Sequence, residues 1–224
     1  MKERMTMTAR NRFHLITICF TVLIAGTLLI KQTASSEQQK IETIGIDYAQ
    51  MNQSVEKVLK DMPEIAGELA SIQSGIHNNK LGQSFSTNKT EFRLRVKNNL
   101  TEQEHSSPFL RGIAEKQTDH YQEALDIAEE AYGITVTEDE IDAYIKENVS
   151  TIWDAEKRKY AKSLQLTLNE LDYHFDRDVY VMNVLWERVL PIVMQEFPRK
   201  RGESGQAYGK RLKEEFFSGT EDSA

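Results

Sequence analysis

Apolar residues recur at helical spacing along most of the chain. Ile41, Ile44, Tyr48, Met51, Val55, Val58 and Leu59 follow a period that predicts one helix over 41–59. Pro63 suits the first turn of a second helix, with Ile65, Leu69, Ile72 and Ile76 on one stripe. Gly82 to Lys89 shows no period and many small polar residues, so it reads as a loop. The glycosylation-like triplet Asn88-Lys89-Thr90 is short enough to arise by chance. Ser107-Pro108 is a cap followed by proline at the first helical position. The helix it opens has an apolar face of Phe109, Leu110, Ile113, Tyr121, Ala124, Leu125, Ala128 and Tyr132. Further helices are expected from Glu138 to about Val149, from Ile152 to Leu164, and from Leu168 onward through Phe175, Val179, Met182, Leu185, Val189 and Val193. Pro191 lacks the N–H that the preceding turn needs, so it is expected to kink or end that last long helix. Tyr208 to Phe217 reads as a small closing helix. No stretch reads as a convincing strand, and the fold class expected is all-α.

Start and stop signals are densest between Tyr132 and Phe197. Gly133 suits the left-handed residue that closes a helix, with Ile134 making the contact beyond it. Thr137 and Glu140 form a capping box, and Val136 and Ile141 stand where a hydrophobic staple closes. Thr167 and Glu170, flanked by Leu166 and Leu171, repeat the device. These signals fix helix starts near Glu138 and Leu168.

The run A-Y-G-I-T-V-T-E-D-E-I-D-A-Y-I, followed later by A-K-S-L-Q-L-T-L-N-E-L, resembles the N-terminal chaperone domain of SurA-type periplasmic chaperones and their Gram-positive relatives. In that family a helix ends at glycine, a link of the form G-I-x-V-T follows, and an acidic-started helix comes next; later the link reads L-G-L-T. The resemblance covers roughly 109–197. It departs from the pattern at Gln165, where glycine is usual and where a left-handed backbone strains any other side chain. It implies a SurA-N-like helical domain over 101–217 that holds unfolded or secreted polypeptides without ATP and without a catalytic residue. Relatives often add a parvulin-type prolyl isomerase, a domain on the order of a hundred residues. The stretch from Pro198 to Ala224 is far shorter and carries neither a Gly-rich run nor paired histidines, so no isomerase and no enzymatic activity are expected.

The N-terminal pattern differs. Phe13 to Ile30 has no acidic or permanently charged side chain, and at 1.5 Å per residue it is just long enough for a bilayer core of about 30 Å. Met1 to Arg12 is basic, which by the positive-inside rule puts residues 1–12 in the cytoplasm and the chain after Lys31 outside. An uncleaved anchor over 13–30 is favoured over a cleaved signal peptide, because signal h-regions are shorter and Thr33-Ala34-Ser35 is a weak cleavage site. The organisation expected is therefore a cytoplasmic tail, a transmembrane anchor over 13–30, a helical arm and loop over 31–100, the helical domain over 101–217, and a tail over 218–224, in a bacterial cell membrane.

Charge sharpens this picture. The formal net charge is −7; residues 1–36 carry +4, leaving −11 for the rest. An acidic body lacks the basic face that phosphate binding needs, so nucleic acid is not an expected partner. Cys19, inside the apolar run, is the single cysteine, so no intramolecular disulfide is available. No motif for a nucleophile, metal or cofactor stands out. The cluster Asp172-x-His174-x-Asp176-x-Asp178 is read as a solvated polar face rather than a metal site. Aromatic and Met positions at helical spacing are mostly core. The chaperone resemblance nevertheless nominates Trp153, Tyr160, Tyr173, Met182 and Trp186 as client contacts in an open apolar groove, since flexible and broad side chains suit promiscuous binding. The rival reading is an envelope scaffold that binds one dedicated partner. Either admits a homodimer.

Overall fold

A computed structural model describes residues 46–75, 81, 84–101, 105–151 and 154–218. The expected membrane anchor at 13–30, Trp153 and the tail beyond Ser218 lie outside them. Among the described residues the chain is helical and contains no strand, as the pattern requires. No helix there is long and apolar enough to cross a membrane. In chain order the helices are α1 (Tyr48–Met51), α2 (Val55–Asp61), α3 (Glu64–Gln73), α4 (Thr87–Leu100), α5 (Ser107–Tyr132), α6 (Glu138–Tyr144), α7 (Ala155–Ser163), α8 (Leu168–Glu170), α9 (Arg177–Glu196) and α10 (Gly205–Ser218). Wider π turns extend α6 through Ile145–Val149 and α8 through Leu171–Phe175.

The local signals act as the sequence implies. Gly133 takes φ 63°, and the amides of Gly133 and Ile134 reach back to the carbonyls of Glu129 and Ala128. Both capping boxes form, at Thr137–Glu140 and Thr167–Glu170. Val136 and Ile141 are buried together, as are Leu166 and Leu171. Gln165 has φ 58° and is the described non-glycine residue with a positive φ. The amide of Leu166 bonds the Ala161 carbonyl and that of Gln165 the Lys162 carbonyl, which closes α7 as a Schellman motif does.

Several expectations are corrected. The helix expected over 41–59 is broken within the described residues at Asn52–Ser54. There the Asn52 amide side chain donates to the Glu156 carbonyl at 2.8 Å and the Ser54 hydroxyl donates to the Val96 carbonyl at 2.8 Å, so tertiary bonds hold the chain in a turn. The loop expected through Lys89 ends earlier, because Ser86 caps α4. The helix expected from Leu168 is interrupted at Asp176. Pro191 does not end α9, which runs on to Glu196; Pro191 and Glu187 are both exposed, so water can satisfy the Glu187 carbonyl that loses its donor.

Two large apolar clusters make the core. One joins the second half of α5 to α6, α9 and α10, with Ile141, Ile145, Leu185, Val189 and Phe216 among its sealed members. The other joins α2, α3 and α4 to α7 and the α8 turn around Val58, Ile65, Phe92, Tyr160 and Phe175. A smaller cluster of Leu94, Leu110, Ile113 and Ala114 holds α4 against α5. The two large clusters meet where the α8 turn passes into α9.

Candidate functional site

That junction is charged. Helix α4 presents Lys89 and Arg93 inward, one turn apart, and the start of α9 presents Asp176 and Asp178. Arg93 grips Asp178 with both terminal nitrogens, at 2.7 and 2.9 Å, and also reaches Asp176 at 3.0 Å and the Phe175 carbonyl at 2.9 Å. Its guanidinium stands 5.5 Å from the centre of the Phe175 ring. Lys89 donates to the Ser84 carbonyl at 2.9 Å and lies 3.6 Å from Asp178. Next to this knot, Lys157 and Asp172 form a second buried pair at 2.7 Å. Arg177 ties α9 to Glu138 and Asp142 of α6, each at 2.6 Å.

Asp172, Asp176 and Asp178 are therefore buried ion-pair partners, which corrects their reading as a solvated face. Burial raises the Asp176 carboxyl to about 6, against the opposing pull of Arg93. Burial also pushes Asp178 up, but Arg93 and Lys89 outweigh it and hold that carboxyl below its usual range. The Lys89 ammonium is lowered by burial. One site thus sets a carboxylate that stays ionised beside one that takes up a proton in mildly acidic solution.

Aromatic side chains roof the knot. Tyr48 of α1 donates to Asp176 at 3.4 Å and its oxygen lies 3.5 Å from that of Tyr180. Its ring centre is 5.3 Å from that of Tyr160 on α7. Tyr180 in turn lies 6.2 Å from Tyr144. Burial, then the Asp176 charge, raises the phenols of Tyr48, Tyr160 and Tyr180 far above their usual range. The Tyr160 hydroxyl is buried and makes no hydrogen bond.

The four nominated contact residues within the described part, Tyr160, Tyr173, Met182 and Trp186, do not form one surface. Tyr160 is sealed beneath Tyr48 in the α2–α4 cluster. Met182 and Trp186 are buried in the α9–α10 cluster, where Trp186 meets Phe216 edge-on at 5.0 Å. Tyr173 is half-buried against that cluster, and Trp153 lies outside the described residues. Among the described residues, Ile192, at 36%, is the large apolar side chain that stays exposed. The hollow on the outside of α5, formed by Asp119, Gln122, Glu123, Asp126, Ile127 and Glu130, is open and mostly acidic. Among the described residues no cluster of His, Cys, Asp or Glu is placed to hold a metal ion.

The sequence pattern gave no pointer to Lys89, Arg93 and Tyr48 as site residues. The F-R-L-R-V run at Phe92–Val96 is too charged to read as a helix with an apolar stripe, and its acidic partner Asp178 stands 85 positions from Arg93. Comparison of the chain with protein-family models, characterised proteins and solved structures returns no match.

Proposed function

We propose that this chain is a membrane-anchored, extracytoplasmic, chaperone-like protein that holds unfolded secreted or envelope polypeptides without catalysis. The observation that carries this reading is the backbone at Gln165. The SurA-type pattern has glycine there, and this chain adopts the left-handed conformation that such a pattern needs although it carries glutamine. The glycine-closed α5 and the capped starts of α6 and α8 support it at the other positions of the pattern.

The test uses full-length protein in lipid nanodiscs, mixed with a chemically denatured model protein diluted into buffer. Near-stoichiometric suppression of light scattering without ATP is the expected outcome, with prolyl isomerisation of a test peptide at its uncatalysed rate. No suppression at tenfold excess would sink the reading, and isomerisation above background would assign an enzyme instead. The burial of Tyr160, Met182 and Trp186 favours a second reading, a scaffold for one dedicated partner, which a single stoichiometric complex without general suppression would support.

A further inference from the structure

The acidic balance of the chain is not uniform. Residues 37–197 carry 17 basic side chains against 29 acidic, whereas residues 198–218 carry six basic against three. The change of sign is sharpest in the turn between α9 and α10, at Pro198–Ser204. The carboxylate of that turn, Glu203, is clasped by the Arg211 guanidinium at 2.9 and 3.0 Å and accepts the Lys200 amide at 3.0 Å. Those bonds, Arg211 first, hold its carboxyl down to about 2, so its charge is spent inside the turn. The backbone is fixed by the same residues. Gly202 turns at φ 79°, the Glu203 amide bonds the Lys200 carbonyl at 3.1 Å, and Arg199 donates to the Glu203 carbonyl at 2.9 and 2.7 Å. Lys200 and Arg201 are exposed, and among the described residues their side chains form no hydrogen bond and no ion pair. The flanking exposed carboxylates are Glu196 and Glu214, the second paired with Lys210 at 3.6 Å. A stiff turn thus holds out two cations that its own architecture does not use.

We propose that the α9–α10 turn is a docking contact for an anionic lipid surface, with Lys200 and Arg201 meeting the headgroup phosphates. This rests on the membrane-anchored reading. Residues 31–45 separate the expected anchor from the described body, and their covalent limit is a span of about 50 Å. A compact chain of this length is about 40 Å across, so any face of the body can touch the bilayer that carries it. Charge decides which face does. Anionic headgroups repel the acidic body and attract this turn, and each exposed Lys or Arg at such a surface tightens the contact about fivefold. The contact seats the C-terminal end of α9 toward the bilayer.

The test uses the full-length chain with Cys19→Ser and Gln206→Cys, labelled with a fluorophore at the exposed position 206 and carried in nanodiscs whose headgroups bear a nitroxide quencher. Quenching reads the ratio of docked to undocked body. It is expected to be strong in discs rich in phosphatidylglycerol, absent in phosphatidylcholine discs, and lost on raising the salt to about 0.5 M, where screening shortens the reach of exposed charges. Lys200→Gln with Arg201→Gln is expected to lower the docked-to-undocked ratio about 25-fold. Lys159→Gln with Lys162→Gln removes the same charge from exposed positions on α7 and is expected to leave that ratio within about twofold. Both pairs lie on the surface, and an unchanged circular dichroism melt shows that the fold is kept. Equal quenching in the two lipids overturns the contact, as does equal loss from the two pairs of substitutions. A chain that enters discs and shows no lipid dependence removes the contact and leaves the anchored reading intact. A chain that does not enter discs removes both.

Discussion

Asp176 sits fully out of solvent between Arg93, Asp178 and three phenols, and its proton affinity records that setting. A carboxyl raised on folding contributes stability that is complete below its unfolded value near 3.8 and is lost as pH rises through about 6. Urea titrations of wild type and Asp176→Asn should therefore diverge with pH. Wild type loses up to about 3 kcal/mol relative to the variant between pH 4 and 7.5, from a shift of about two units. A pH-independent difference would show that Asp176 does not titrate in the folded state. These residue-scale facts were only half legible. The sequence exposes the spacing of Asp172, Asp176 and Asp178, but their partners Lys89, Arg93 and Lys157 stand up to 89 positions away, as between Lys89 and Asp178. Local spacing alone favours a wet face; only the tertiary pairing makes it dry.

At the level of elements, legibility follows how local the cause is. The caps at Gly133, Thr137 and Thr167 depend on residues within one turn, and each forms where the spacing places it. Helix α4 was hidden because its buried face is polar: Lys89, Thr90 and Glu91 are buried beside Phe92, Leu94 and Val96, which leaves no apolar stripe. Arg95 and Arg111 both pair with Glu91, so even that carboxylate is satisfied from other turns and helices. The closing turn of α7 gives the element-scale prediction. A left-handed non-glycine residue costs about 1 kcal/mol. The Gln73 side chain bonds only the backbone carbonyl of Gln165, at 3.0 Å, and that bond survives substitution. Gln165→Gly is thus expected to raise the unfolding free energy by about 0.5–1 kcal/mol, read as a higher thermal midpoint. An unchanged or lower midpoint would place no strain at that turn.

For the whole molecule, the decisive feature is that the two large apolar clusters meet at a charged junction, with the smaller Leu94–Ile113 cluster tying α4 to α5 beside it. Arg93 crosses that junction with the shortest ion pair, joining α4 to the start of α9. Removing one partner of a buried pair leaves an uncompensated charge and costs about 3–5 kcal/mol. Arg93→Met is expected to lower stability by that amount and to split one calorimetric transition into two, with the α9–α10 cluster melting apart from the α2–α4 cluster. A single, merely shifted transition would show that the clusters cooperate without it.

The alternation of Phe92, Arg93, Leu94, Arg95 and Val96 has a consequence beyond the folded state. Before helices form, a two-residue period of bulky apolar groups is the signature of intermolecular β-pairing, and charges interleaved within such a stretch oppose it. The two arginines that later clasp acidic partners therefore guard the newly made polypeptide against self-association, so their loss should lower the soluble yield during synthesis by more than the melting temperature alone implies.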